Sequence, residues 1–276
     1  MADEPALPPL REVIARHGIA ARKALGQNFL LDTNLLARIA RACAVEGRAV
    51  VEIGAGPGGL TRALLAAGAT RVVAVERDQR CVAALGELAA ALPGRLEVVD
   101  ADTTTIDAVG LVPAPATIVG NLPFNVATPL IVGWLGRPDS IASMTLMVQR
   151  EVADRLTATP GAKDYGRLAV LAGWRWRVAR LFDVAARAFV PPPKVTASVL
   201  RFEPMPQPVA EADARLLGRV AQAAFGQRRK MLRSSLRALS VPVEPLLAAA
   251  GIDPTRRAET LTTAEFCAIA RALAAA

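Results

Sequence analysis

Four residues that could share one piece of chemistry recur about one strand–helix unit apart: Gly54, Glu76, Asp102 and Asn121, separated by 22, 26 and 19 positions. The last closes an apolar run (Ala116-Thr117-Ile118-Val119-Gly120) and opens Asn121-Leu122-Pro123-Phe124-Asn125. Proline cannot donate to a sheet ladder, so a strand must stop before Pro123 and expose the residues at its end. An amide, a backbone carbonyl and an aromatic ring then lie within four residues. Asn121 and the Leu122 carbonyl can accept the two N–H bonds of a flat amino-bearing base, and Phe124 can stack on its face. An ordinary Asn-Pro turn capping a strand accounts for the tetrapeptide alone equally well.

The glycine loop after the first strand, Gly54-Ala55-Gly56-Pro57-Gly58-Gly59, fits the dinucleotide fingerprint, and Glu76 stands where an acid would take ribose hydroxyls. NAD and S-adenosylmethionine both carry that ribose. Two features favour S-adenosylmethionine: an acid, Glu52, precedes the first glycine, and no hydride-transfer site is evident. Asp102 suits an adenine amino group. At the target base, hydrogen bonds from both N6 protons to Asn121 and the Leu122 carbonyl would pyramidalise nitrogen and free its lone pair. Attack on a sulfonium methyl then needs positioning and dipoles more than a strong base, and charge developing on N6 is eased by the π-face of Phe124.

The elements that must position these residues read as alternating strands and helices. Strands are expected at 49–53, 72–75, 96–99, 116–119 and 144–148, with helices opening at Leu60 and Asp78. Such alternation implies a parallel, helix-covered sheet whose strand ends meet on one ligand-binding rim. Trp174 to Phe182 and Thr196 to Phe202 alternate like an antiparallel pair closing the sheet. Before the sheet, Arg22, Lys23 and Gln27-Asn28-Phe29-Leu30 read as a flap touching phosphate and covering a ligand. Ala188-Phe189-Val190-Pro191-Pro192-Pro193-Lys194 is a stiff turn presenting Phe189. The expected organisation is a leader and flap over 1–47, a Rossmann-like domain over 48–203, a Pro-rich linker at 204–208 and an all-helical domain over 209–276. In the last, Arg228, Arg229, Lys230, Arg233 and Arg237 occur without an acid, and Arg229, Arg233 and Arg237 at i, i+4, i+8 predict one basic helical stripe, with Leu232, Leu236 and Leu239 facing a core.

Composition narrows the class. The 276 residues carry a net charge of +8, which favours a nucleic-acid partner over a membrane. Three scattered cysteines form no CxxC pair, and one histidine excludes a His-based metal site, so no metal is expected. With neither an apolar signal region nor a span of about 18 apolar residues, a cytoplasmic monomer is expected.

Five stretches together carry a resemblance to a known family: Ala21-Arg22-Lys23 with Gly26-Gln27-Asn28-Phe29-Leu30, Val51-Glu52-Ile53-Gly54 with Gly56, Gly120-Asn121-Leu122-Pro123-Phe124-Asn125 with Thr128-Pro129, Pro191-Pro192-Pro193-Lys194-Val195, and Phe225 with Gln227-Arg228-Arg229-Lys230. In this order they resemble the KsgA-type rRNA adenine N6-dimethyltransferases over almost the whole chain. The resemblance implies an S-adenosylmethionine-dependent methyltransferase sheet with a small helical C-terminal domain. It also implies dimethylation of two adjacent adenosines near the 3′ end of 16S rRNA in the small ribosomal subunit during assembly. Carried over by position, the cofactor contacts fall on Asn28, Leu30, Gly54, Glu76, Asp102 and Asn121. The target-adenine contacts fall on Asn121, Leu122, Pro123 and Phe124, with Phe189 the second stacking ring. The family usually has Tyr where Phe124 stands, so stacking is kept and any role of a hydroxyl is lost. Three rivals remain: a relative that methylates large-subunit rRNA and confers macrolide resistance, a non-catalytic RNA-binding factor on the same fold, and an NAD-dependent oxidoreductase.

Overall fold

The computed structural model describes residues 7–22 and 25–276. Its sheet grows from β-branched runs: β2 (Ala49–Ile53), β3 (Arg71–Glu76), β4 (Leu96–Asp100), β5 (Ala116–Asn121) and β6 (Ile141–Gln149). Val50, Val51, Ile53, Val72, Val73 and Ile118 are fully buried, as expected for strands covered on both faces. β2 to β6 run parallel in the order β4-β3-β2-β5-β6. Beyond β6, β9 (Ala197–Pro204) pairs antiparallel with it, and β7 (Trp176–Val184) forms the edge. The two strands expected to close the sheet are therefore present at this edge, side by side.

The chain moves outward from β2 to β3 and β4 and then returns to β5 on the other side of β2. The strand order thus reverses between β2 and β5, where open α/β sheets bind ligands. Register pairs Ile53 with Gly120. A Cβ at Gly120 would lie 2.8 Å from the Ile53 carbonyl oxygen, so only glycine allows this approach one residue before Asn121.

Helices α3 (Gly59–Ala66) and α4 (Gln79–Ala91) come after β2 and β3, and α4 is capped by Asp78, whose side chain accepts the Arg80 N–H. α5 (Ala127–Leu135) connects β5 to β6. Before the sheet come α1 (Leu10–Arg16), β1 (Phe29–Leu30) and α2 (Thr33–Ala42), the last capped by Asp32. Val13 and Ile19 pack on Cys81 and Ala84. β1 pairs antiparallel with β8 (Phe189–Val190), setting Phe29 opposite Val190 and Leu30 opposite Phe189.

The chain divides into two compact units, and the division differs from the expected boundaries. Of the described residues, the first holds 7–22, 25–130, 139–150 and 180–202; the second holds 131–138, 151–179 and 203–276. The reason is apolar patterning in α7 (Arg167–Arg175), which comes after α6 (Arg150–Thr157). Ala169, Val170 and Trp174 share one core with Leu217 and Val220 of α8 (Ala214–Gly226), Leu232 of α9 (Leu232–Ser235), Leu246 of α10 (Val243–Ala249) and Phe266 of α11 (Thr263–Ala275). Phe225 stacks on Phe266 at 5.5 Å, and Tyr165 meets Phe225 edge-on at 5.9 Å. The Pro-rich stretch 204–208 is not a free linker, because the Met205 and Val209 N–H groups donate to the Arg175 and Trp174 carbonyls at 2.8 and 2.9 Å.

Two glycine substitutions test this packing. Gly120→Ala is expected to destabilise by about 1–3 kcal/mol, read in thermal unfolding as roughly 2–4 °C per kcal/mol. Gly133→Ala, in α5 with nothing within 4 Å of the new carbon, is expected to stabilise by up to about 1 kcal/mol.

Candidate active site

The rim above the β2/β5 switch is a cavity lined by the flap residues Leu25 to Leu30, the glycine loop, Glu76-Arg77, Asp102-Thr103 and Asn121 to Val126. Gly54, Glu76, Asp102 and Asn121 all line it, as do Asn28, Leu30, Leu122, Pro123 and Phe124. Gly54 turns the chain out of β2 at a φ of +70°, the left-handed region that favours glycine.

Each carboxylate on the rim is held differently. Glu76 accepts the Gly56 N–H at 2.8 Å through Oε2, and the Arg77 and Asp78 N–H groups at 2.9 Å through Oε1. It therefore fastens the glycine loop to the end of β3. Asp102 accepts the hydroxyl and N–H of Thr104 at 2.7 and 2.9 Å through Oδ1, and pairs with the Arg77 guanidinium through Oδ2. The Thr104 bonds first, and Arg77 with them, hold its carboxyl down at about 2. Asp102 is thus an acceptor throughout the physiological range. Glu52 is buried beneath the glycines, accepts the Thr61 hydroxyl at 2.6 Å, and is pushed up to about 8, chiefly by burial and further by the Glu76 charge.

Asn121 ends β5 half-buried, and its Nδ2 donates to the Asn28 carbonyl at 3.2 Å. One Nδ2 N–H is thus tied to the flap, and Oδ1 is the accepting atom of the amide. Leu122 donates its N–H to the Met147 carbonyl, and the Pro123 carbonyl accepts from Val126 and Ala127. Phe124 is half-buried at the cavity wall.

Three expectations about individual residues need correction. Phe189 does not face the cavity: it is 1% exposed within the apolar core, while Val190 beside it is 52% exposed. Strand alternation in the β1/β8 ribbon turns the ring inward, where a buried aromatic gains most. The basic stripe is not one helix. α8 ends at Gly226, a turn comes next, and the Leu232 and Arg233 N–H groups donate to the Arg256 and Pro254 carbonyls instead of one turn back. Leu232, Leu236 and Leu239 are nevertheless buried, and Arg229, Lys230, Arg233 and Arg237 are exposed. Arg228 is engaged internally, pairing with Glu259 at 3.2 Å and donating to the Ala162 carbonyl at 3.1 Å. Arg22 is exposed, and Lys23 lies outside the described residues.

Two residues were missed. Arg77 lines the cavity and holds Asp102; its position directly after Glu76 was the available signal. Arg257, exposed, is brought beside the basic turn by a β-bridge to Met231, and nothing local in the sequence announces it. Among the described residues no cluster of His, Cys, Asp or Glu could hold a metal ion, and no helix is long and apolar enough to cross a membrane.

Residues 18–275 match the family described as ribosomal RNA adenine dimethylase. The chain is 58% identical over 271 residues to Ribosomal RNA small subunit methyltransferase A of Rhodospirillum rubrum, covering 98% of this chain and 94% of that protein. It is 54% identical over 279 residues to the protein so named from Dinoroseobacter shibae, covering 100% of each. Among solved structures, a dimethyladenosine transferase from Plasmodium falciparum superposes with a TM-score of 0.72 at 22% identity, over 87% of this chain and 95% of that one. The 23S rRNA methyltransferase ErmE superposes with a TM-score of 0.66 at 27% identity, over 90% of this chain and 100% of that one.

Glu52 makes stability depend on pH. Its folded value, about 8, lies above its ordinary 4.5, so the native state holds a proton that the unfolded chain releases. That contribution is complete below about pH 4.5 and is lost as pH rises toward 8. Glu52→Gln keeps an acceptor for Thr61 without a charge. In thermal unfolding its midpoint is expected to rise relative to wild type as pH climbs from about 5 to about 8; a constant gap would contradict the assignment.

Proposed function

The chain belongs to the ribosomal RNA adenine dimethylase family, and from that premise we propose how its rim works: methyl groups pass from S-adenosylmethionine to the N6 amino groups of two adjacent adenosines near the 3′ end of small-subunit (16S) rRNA. It is an rRNA methyltransferase of the small-subunit kind, in keeping with relatives that match it from end to end. The observation that carries the site reading is the Asn121 amide, whose nitrogen is committed to the Asn28 carbonyl so that its oxygen is the acceptor at the rim.

The donor set suits the cofactor. Glu76 offers its remaining lone pair, on Oε2, to a ribose hydroxyl, ionised Asp102 offers an acceptor to the adenine amino group, and the glycine loop leaves backbone room between them. Asn28, Leu30 and Gly54 complete that side. When bound, S-adenosylmethionine supplies a methyl carbon made electrophilic by its sulfonium.

The rest is done by this chain. Asn121 Oδ1 and the Leu122 carbonyl each accept a hydrogen bond from one N–H of the target N6, which weakens its conjugation with the ring and aims its lone pair. Pro123 keeps the backbone out of the ladder so that this carbonyl faces the rim. Phe124 stacks on the base, holding an adenosine that has left its own stack. No side chain has to take the proton in advance, because the methylated amine sheds it after transfer. Stacking by Phe189 would need the β1/β8 ribbon to open, so Phe124 carries that role in the closed arrangement.

The exposed cations Arg229, Lys230, Arg233, Arg237 and Arg257 give the second unit a basic surface, and Arg22 is an exposed cation of the first; each meets rRNA phosphates, a contact whose strength falls with salt.

Asn121→Ala is expected to lower kcat at least about 100-fold, while S-adenosylhomocysteine affinity measured by calorimetry falls far less. Unimpaired methylation by the variant would remove Asn121 from the mechanism.

A further inference from the structure

The flap is fastened to the rim by two adjacent residues that face opposite ways. Gln27 Oε1 accepts the Arg22 N–H at 2.9 Å, closing the 22–27 loop, and Gln27 Nε2 donates to Asp78 Oδ2, also at 2.9 Å. Asn28, the next residue, offers its carbonyl to the Asn121 amide at 3.2 Å. Asp78 continues the chain of bonds: its N–H donates to Glu76 Oε1, and Glu76 Oε2 receives the Gly56 N–H. One hydrogen-bonded line therefore runs from the glycine loop through Glu76, Asp78 and Gln27 to the flap, and one peptide later it reaches Asn121.

Near neutral pH a carboxamide is what position 27 requires. One end must accept from a backbone N–H and the other must donate to a carboxylate, three bonds of side chain away from the flap. Asp78 is 3% exposed. Its carboxylate is bound by the Arg80 guanidinium at 2.6 and 3.0 Å and held at about 2, so it accepts only. Glutamate at position 27 would set two carboxylates together, and an aliphatic side chain would leave both partners unmet.

We propose that Gln27 is a positioning residue that transmits cofactor occupancy to Asn121: ligand binding at Glu76 steadies Asp78, Gln27 holds the flap to it, and the Asn28 carbonyl then fixes the Asn121 amide for the target base. The proposal rests on the reading that Glu76 takes the cofactor ribose. It adds to that reading a coupling between the two halves of the site, carried by a residue assigned no role of its own in the chemistry. Such coupling is reciprocal: cofactor bound at Glu76 must tighten the hold on RNA, and RNA must tighten the hold on cofactor.

The test measures affinity for undermethylated small ribosomal subunits with and without saturating S-adenosylhomocysteine. Wild type is expected to bind at least about fivefold more tightly when it is present. In Gln27→Leu the ratio is expected to fall to within about twofold of unity, with circular dichroism matching wild type. Gln27→Glu adds a control that a merely structural residue would not satisfy. At about pH 8 the introduced carboxylate faces Asp78 and the ratio is lost; at about pH 5 the protonated form again accepts from Arg22 and donates to Asp78, and the ratio returns. Gln27→Leu shows no such recovery. A ratio near one in wild type, a ratio retained in Gln27→Leu, or no recovery of Gln27→Glu in acid overturns the proposal. Glu76→Ala separates the two levels: undiminished S-adenosylhomocysteine binding by it sinks the ribose reading itself, whereas weakened binding leaves the ratios to decide the coupling.

Discussion

The close parallel pairing of β2 with β5 is the constraint on which the site depends. At Gly120 the strands approach so closely that a methyl group would lie 2.8 Å from the Ile53 carbonyl. This pairing is also where the strand order reverses. It brings the Gly54 turn and Asn121 to one edge of the sheet, with Glu76 and Asp102 one and two strands further along. Gly54, Glu76, Asp102 and Asn121 each stand at or just beyond the end of a parallel strand, and the apolar core beneath fixes those ends because buried β-branched side chains leave no room for register to slip.

The electrostatics of the rim separate by burial and partner. Asp102, half-exposed and bonded to Thr104 and Arg77, stays charged. Glu52, two strands inward and shielded from water with Thr61 as its hydrogen-bond donor, keeps its proton near neutrality. Glu76 between them accepts three backbone N–H groups and so ties loop to strand, with one lone pair left on Oε2. Three carboxyl groups within one cavity thereby serve three ends: an acceptor, a neutral floor and a clamp.

Much of this was legible in the sequence for a physical reason. In a parallel sheet every strand ends on the same edge, so polar residues closing successive apolar runs must converge; Gly54, Glu76, Asp102 and Asn121 do. The misreadings lie where tertiary bonds override local pattern. Phe189 looked like a presented ring because prolines come after it, but pairing with Leu30 turns it inward. The arginines at 229, 233 and 237 have helical spacing, yet the N–H groups of Leu232 and Arg233 bond to a segment more than twenty residues away. Chain order assigns α7 to the sheet domain, while its apolar face belongs to the C-terminal core. The bond from Gln27 to Asp78 could not be seen at all, since the two are 51 residues apart.

The central claim is that this rim methylates adenine N6 in small-subunit RNA. Its most direct test is transfer of labelled methyl from S-adenosylmethionine to undermethylated small and large ribosomal subunits, with nucleoside analysis of the products. The account predicts N6,N6-dimethyladenosine in small-subunit RNA alone. Label confined to the large subunit, or none in either despite cofactor binding, would contradict it.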